Sequence, residues 1–319
     1  MLDVRDLKQP DDGTLDGPPP ARRGSRLAGE SPRPNLFSGL HVAPAPTDLS
    51  SRFRNVSDDQ YFYLLMQSVD SREVEGVTFP GFPDDQTQAT FVGSVGRQAL
   101  FEANEFWQLL KTTAAALGRP LGADTRALDF GCGWGRYLRF LNKDVSSASL
   151  FGVDVNPDIL GMCPRLGVPG QLSLIEPVGT LPLPDASIDV AMAYSVFTHL
   201  PEDVHLHWVR ELTRVSKPGA VMFLTTQPRR FLEFVRDITP TSSSPWHQRL
   251  AVFAPASEAN LAAFDADRFV FLPTEGIPHY GDAVVPKGWI SRHWAGWRLS
   301  EHIDDSLRFL QAVVVLQRT

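Results

Sequence analysis

The chain has 319 residues, of which 43% are hydrophobic and 21% charged, with a net charge of −7. That supplies enough apolar material for a sizeable core in one large domain or two modest ones. The acidic balance excludes a basic field for gripping a nucleic-acid backbone. Nowhere do about 18 consecutive apolar residues occur, so no bilayer span is expected.

The opening Met1-Leu2-Asp3-Val4-Arg5-Asp6 offers no apolar leader, so a signal peptide is not expected. Residues 1 to about 50 are rich in Pro, Gly, Asp and Arg, with Pro18-Pro19-Pro20 and Ala43-Pro44-Ala45-Pro46. Such a segment buries too little apolar area to offset its ordering entropy and reads as a disordered tail. Residues 51–120 read as a helical cap or lid. Leu100, Ala103, Trp107 and Leu110 share one helical face, and an earlier helix carries Tyr61, Phe62, Leu64 and Leu65. Between them, the prolines of Val77-Thr78-Phe79-Pro80-Gly81-Phe82-Pro83 impose an extended or looped path. Phe91-Val92-Gly93-Ser94-Val95-Gly96 reads as an apolar turn between helices, either a packing hinge or a lid over a ligand.

From about residue 121 the pattern changes to alternating strands and helices. Strands are expected at 126–130, 149–153, 171–175, 188–194 and 220–226, with helices at 135–143, 157–163 and 201–215. This alternation implies a parallel sheet with right-handed crossovers. The most informative run is Leu128-Asp129-Phe130-Gly131-Cys132-Gly133-Trp134-Gly135-Arg136, a strand that breaks into a glycine-rich turn and opens a helix. Alternating glycines permit a tight turn and let a ligand approach the backbone, and the helix start turns unpaired N–H groups to the same space. Asp154 ends the next strand, close to where a βαβ unit places an acid for ribose hydroxyls, about 20 residues beyond the turn. A dinucleotide fingerprint requires a further glycine where Arg136 stands, and Asp129 would repel a pyrophosphate while welcoming an ammonium group.

The run around Asp129 resembles the first motif of class I S-adenosylmethionine (SAM)-dependent methyltransferases, and Asp154 resembles their ribose-binding acid. The segment Ile188 to Leu200 is similar to the family's fourth strand and the loop after it, and Thr213-Arg214-Val215-Ser216-Lys217-Pro218-Gly219-Ala220 resembles the turn before its fifth. The segments 297–303 and 311–316 look like the antiparallel pair that closes such sheets. The resemblance implies an α/β, Rossmann-like doubly wound sheet, mostly parallel with a C-terminal antiparallel pair. It makes 121–319 the methyltransferase domain, with an insertion at about 228–295. It also implies SAM as cofactor, held by Asp129, Gly131, Cys132, Gly133, Gly135, Asp154, Val155, Tyr194 and Ser195. One departure is that no acid ends the third strand, so Glu176 from a shifted position, or backbone groups, would bind adenine. Phrases around Phe91 to Ser94 and Tyr280-Gly281-Asp282 are similar to those of bacterial methyltransferases found near cell-surface polysaccharide functions.

The function expected is O-methylation of a small polar molecule or glycan-type acceptor, in the cytoplasm, without nucleic-acid partners. Cys132 and Cys163 form no metal spacing or disulfide framework, which fits a reducing compartment. A hydroxyl nucleophile benefits from a general base near neutral pH. His199, after the fourth strand, is the first candidate, with a capping or packing role as the alternative. His279, with Asp282 on the insertion, is the second, against a solvated loop. Arg136 reads as a partner for the methionine carboxylate or an acceptor acid, or as a surface salt bridge. Trp134 and Tyr137 read as core, and His205 and His207 as helix-surface or packing residues. Two rival functions remain: a pseudoenzyme acting by SAM or protein binding, and an NAD-dependent oxidoreductase using the same turn.

Overall fold

A computed structural model describes residues 48–239 and 244–319. The tail expected over 1–50 lies almost wholly outside them.

The helical segment opens with α1 (Ser50–Phe53) and α2 (Asp58–Gln67). A capping box starts α2: the Ser57 hydroxyl accepts from the Gln60 N–H while the Gln60 side chain accepts from the Ser57 N–H. A short hairpin, β1 (Glu73–Val74) and β2 (Val77–Thr78), leads through the proline run to α3 (Asp85–Val92) and α4 (Gly96–Ala116). The Asp84 carboxylate caps α3, and Gly93, left-handed at φ 78°, ends it. The apolar turn expected at 91–96 is therefore shorter, because Phe91 and Val92 complete α3. Helix α4 buries Leu100, Ala103, Phe106, Trp107 and Leu110.

Next come β3 (Ala127–Phe130), α5 (Leu138–Leu141), β4 (Leu150–Asp154), α6 (Pro157–Leu166), β5 (Gln171–Leu174), β6 (Ile188–Ala193), α7 (Glu202–Val215) and β7 (Ser216–Thr226). The insertion holds α8 (Arg229–Asp237), α9 (Pro245–Ala251), α10 (Ser257–Asp265), the hairpin β8 (Val270–Pro273) and β9 (Gly281–Val284), and α11 (Lys287–His293). Strands β10 (Trp297–Ile303) and β11 (Ala312–Arg318) close the chain. Two expectations need correction. The helix expected at 135–143 is regular only over α5, because the turn runs on through Gly135 at φ 77°. Strand β7 begins four residues early, at Ser216 rather than Ala220, across a register shift between Ile188 and Val190 on β6. The hairpin β8–β9 was not foreseen.

The seven-stranded sheet has the order β10-β11-β7-β6-β3-β4-β5. Strands β7 to β5 run parallel, whereas β11 is antiparallel to both β7 and β10. The chain moves outward from β3 through β4 to β5, then returns to β6 on the other side of β3. The crevice beyond the C-terminal ends of β3 and β6 is therefore the switch point where α/β sheets bind ligands.

Alternation along the strands feeds two cores. Val221, Phe223, Val313 and Val315 face the helical segment, packing with Tyr61, Phe106, Trp107 and Phe140. Met222, Leu224, Val314 and Leu316 face α7 and the insertion's Trp289 and Trp294. The insertion adds its own core of Phe231, Leu232, Leu250, Leu261, Val270 and Val284. Among the described residues no helix is long and apolar enough to cross a membrane.

Two buried polar side chains mark the joints. Arg139 donates to the carbonyls of Pro80 (3.3 Å) and Gly81 (3.1 Å), and its guanidinium lies over Phe82 and Trp134. Tyr61 donates to the Arg139 carbonyl at 2.6 Å. Arg139 thus ties the helical segment to α5, and its burial lowers its pKa to about 9. His205 of α7 is enclosed by Phe197, Phe269, Trp289 and Trp294, with ring centroids 4.7 to 5.6 Å away.

Candidate active site

The glycine turn sits at the switch point, at the end of β3. Gly131, Gly133 and Gly135 all have positive φ (80°, 51° and 77°), a conformation that side chains resist. Their surroundings differ. A Cβ on Gly131 would lie 2.3 Å from Val196, and one on Gly135 would lie 2.2 Å from Val168, so both glycines are also needed for close packing. A Cβ on Gly133 would meet only Phe91, at 3.8 Å. Gly133 therefore presents backbone to open space, with Phe91 above it.

Two carboxylates flank the turn. Asp154 accepts from the Gly133 N–H at 2.8 Å and from the Asn156 N–H at 2.9 Å, one bond per oxygen. A carboxylate offers about four lone-pair sites, so Asp154 ties the turn to β4 and keeps capacity for a ligand. Val155 beside it is exposed. Asp129 is 1% exposed, and its Oδ2 has no partner among the described residues. Burial, and then the Asp154 charge, push its carboxyl up to about 7, opposed by Arg136.

Arg136 is not the surface residue that a salt-bridge role would require. It is buried, and its guanidinium lies over Tyr137 (5.0 Å) and Tyr194 (5.3 Å). Its Nη1 makes one long bond to the Ala99 carbonyl, at 3.4 Å, and its Nε has no partner among the described residues. Trp134 and Tyr137 are core, as expected. Cys132 is buried as well, and burial raises its thiol pKa well above the ordinary value.

After β6, Ser195 adopts φ 59°. Its N–H donates to Thr225 Oγ1 (2.7 Å), and its hydroxyl accepts from Gln311 Nε2 (2.9 Å). Four residues on, His199 packs against the insertion. Its Nδ1 lies 2.8 Å from the Gly281 carbonyl, which can only accept, so Nδ1 carries the proton and Nε2 holds the free lone pair. The His199 ring stacks on Tyr280 at 4.8 Å. Asp282 Oδ1 lies 3.9 Å from Nδ1, while Asp282 Oδ2 pairs with Arg249 at 2.9 Å. Burial lowers the His199 pKa, and the Asp282 charge partly restores it.

His279, the second candidate base, does not join this group. It lies on the exposed turn of the β8–β9 hairpin at φ 59°. The strand pairing turns Tyr280 and Asp282 toward His199 instead. Glu176 is exposed beyond the end of β5.

Residues 128–224, from β3 into β7, match the methyltransferase domain family. These residues carry a SAM-dependent methyltransferase domain. It is 29% identical over 108 residues to 2-methyl-6-phytyl-1,4-hydroquinone methyltransferase of Synechocystis sp., covering 33% of each protein. It is 23% identical over 192 residues to fatty-acid O-methyltransferase of Mycolicibacterium smegmatis, covering 57% of this chain and 64% of that one. The chain thus spans between a third and just under two thirds of the length of these curated relatives. Magnesium protoporphyrin IX methyltransferase from Synechocystis PCC 6803, solved with bound SAH, superposes with a TM-score of 0.46 at 12% identity, over 73% of this chain and 94% of that one.

SAM is the cofactor of this domain, and the residues present fit it. The partnerless oxygen of Asp129 suits an ammonium group, Asp154 has lone pairs left for a diol, and the open face of Gly133 admits close approach. Sequence reasoning missed Arg249, Thr225 and Gln311. Each reaches the site by pairing across long chain separations, for which the sequence carries no local signal.

Proposed function

We propose that the protein transfers a methyl group from SAM to an oxygen of a small-molecule acceptor. The acceptor lies between the glycine turn, the segment Tyr194 to His199, and the β8–β9 hairpin. The observation that carries this reading is the buried Asp129 carboxyl, whose Oδ2 has no partner among the described residues, beneath a turn with an open Gly133 face. It asks for a cation where a dinucleotide site would receive phosphate.

When bound, SAM supplies a methyl carbon on a positively charged sulfur. Asp129 holds the ammonium, Asp154 the ribose hydroxyls and Arg136 the carboxylate. Tyr194 and Ser195 border the space next to the turn. His199 Nε2 would take the proton that the acceptor's hydroxyl gives up. The Gly281 carbonyl keeps His199 in the required tautomer, and Asp282 stabilises the imidazolium across 3.9 Å. The buried free thiols Cys132 and Cys163 suit a reducing, cytoplasmic setting.

Calorimetry with S-adenosylhomocysteine (SAH) and with NAD tests the reading. SAH should bind to the native protein and not to Gly133→Val, whose branched side chain would fill the open face and resist φ 51°. Binding of NAD in place of SAH, or full SAH affinity in a folded Gly133→Val variant, would overturn it.

A further inference from the structure

Among the exposed large apolar side chains are Phe91, Phe101, Tyr280, Leu307 and Leu310. The β10–β11 loop that carries the two leucines ends where β11 pairs with the C-terminal end of β7, at Ala312 and Thr226. Phe91 covers Gly133. Phe101 lies one helical turn before Glu105, which pairs with Arg308 at 2.7 Å and brings α4 beside the β10–β11 loop. Leu310 adjoins Gln311, whose amide reaches Ser195. Tyr280 stacks on His199.

The β10–β11 loop holds its leucines outward. Arg230 pairs with Asp304 and donates to the carbonyls of Phe309 and Leu310, both at 2.9 Å, while the Phe309 ring is buried in the core. With both flanks anchored, Leu307 is 91% and Leu310 70% exposed, and Phe101 across from them is 63% exposed. Apolar surface presented this way beside a reaction site is suited to contact an apolar part of a ligand. The nearby cations are already engaged, Arg308 by Glu105 and Arg230 by Asp304. With these two arginines neutralised by their partners, the rim has little pull on an anionic bilayer surface or a charged tail.

We propose that the acceptor is amphipathic, with its nucleophilic oxygen at His199 and an uncharged apolar chain or ring system lying across Phe101, Leu307 and Leu310. This rests on the methyl-transfer reading and replaces the glycan-type acceptor that the sequence suggests.

A series of n-alkyl 4-hydroxybenzoates, ethyl to dodecyl, tests it, because each carries one hydroxyl and a neutral chain of graded length. Calorimetry is run on the SAH-loaded protein and on a Leu307→Ser/Leu310→Ser variant, whose exposed positions spare the core. Affinity should rise by up to about fourfold per added methylene until the rim is covered. The rise should flatten in the double variant while its SAH affinity stays unchanged. Affinity independent of chain length, or a rise that persists in the variant, would overturn the proposal. So would sedimentation with phosphatidylcholine or phosphatidylserine vesicles that the variant loses, in the absence of any chain-length dependence. Failure of the native protein to bind SAH would instead remove the methyl-transfer reading, and chain-length dependence without SAH would leave the apolar subsite standing alone.

Discussion

At Asp129 burial shifts a carboxyl group toward its protonated form, and a cation arriving beside it would shift it back. Its pKa rises from 3.8 in the unfolded chain to about 7 in the ligand-free protein. The stability it contributes is therefore fully present below about pH 4 and is lost as pH rises through about 7. An ammonium beside it favours the ionised form, so SAH affinity should increase with pH up to about 7 and then level off. Calorimetry at several pH values, in two buffers of different ionisation enthalpy, should show proton release on binding at the acid end. Asp129→Asn should bind weakly with a flat pH profile, and a pH-independent affinity in the native protein would remove Asp129 from the ammonium site. His199 works in the opposite sense. Burial lowers its pKa below the ordinary 6.5, so it stays neutral and able to accept a proton at neutral pH. His199→Ala should lower turnover by about 10²–10⁴-fold with SAH affinity intact. A much smaller loss would indicate an acceptor oxygen that needs no base, such as a carboxylate.

At the scale of elements, the insertion completes the base. Helix α9 supplies a partly exposed Arg249 and strand β9 a buried Asp282, and the two pair at 2.9 Å. Arg249→Met would strand a buried carboxylate without its cation, a change that typically costs about 3–5 kcal/mol. Asp282→Asn removes the charge and keeps the shape. It should lower kcat with SAH binding unchanged and shift the base's pH profile to a lower pKa, because Asp282 is what raises the pKa of His199. A profile identical to the native one would show that Asp282 serves the fold alone. The contrast with the glycine turn explains what could be read in advance. Leu128 to Asp154 was legible because strand, turn and acid follow one another within a single βαβ unit. The His199–Gly281 contact spans 82 residues, and it exists only because β9 pairs alongside the loop after β6. Nothing local to either segment encodes that. The same holds for Arg139, whose sequence context reads as an ordinary helical arginine, and whose burial depends on Pro80, Gly81 and Phe82 folding back over it.

For the molecule as a whole, the parallel sheet was implied by alternating strands and helices, and its antiparallel end by the family resemblance, whereas the strand order appears only in the fold. The internal architecture of the insertion was not legible, because its short helices and hairpin are set by their shared core rather than by strong periodicity. The core of the described residues begins at Leu49. Deleting residues 1–45 should accordingly leave the melting temperature and SAH affinity nearly unchanged. A clear drop in either would show that the tail docks.

The enclosure of His205 makes the attachment of the insertion sensitive to acid. Core and insertion both contribute rings to that box, and burial drives the imidazole pKa from 6.5 down to about 3. The unfolded chain takes up a proton below about 6.5 that the folded box refuses, so stability is present above that pH and drains away as pH falls toward 3. At pH 5 the penalty is about 2 kcal/mol. Mild acid should therefore raise protease cutting and amide exchange in 257–293 before the sheet responds, and His205→Phe should blunt that response. A protein built this way would lose its acceptor wall while its sheet and glycine turn are still folded, so acid would loosen the acceptor side by local opening and the cofactor side only by protonating Asp129.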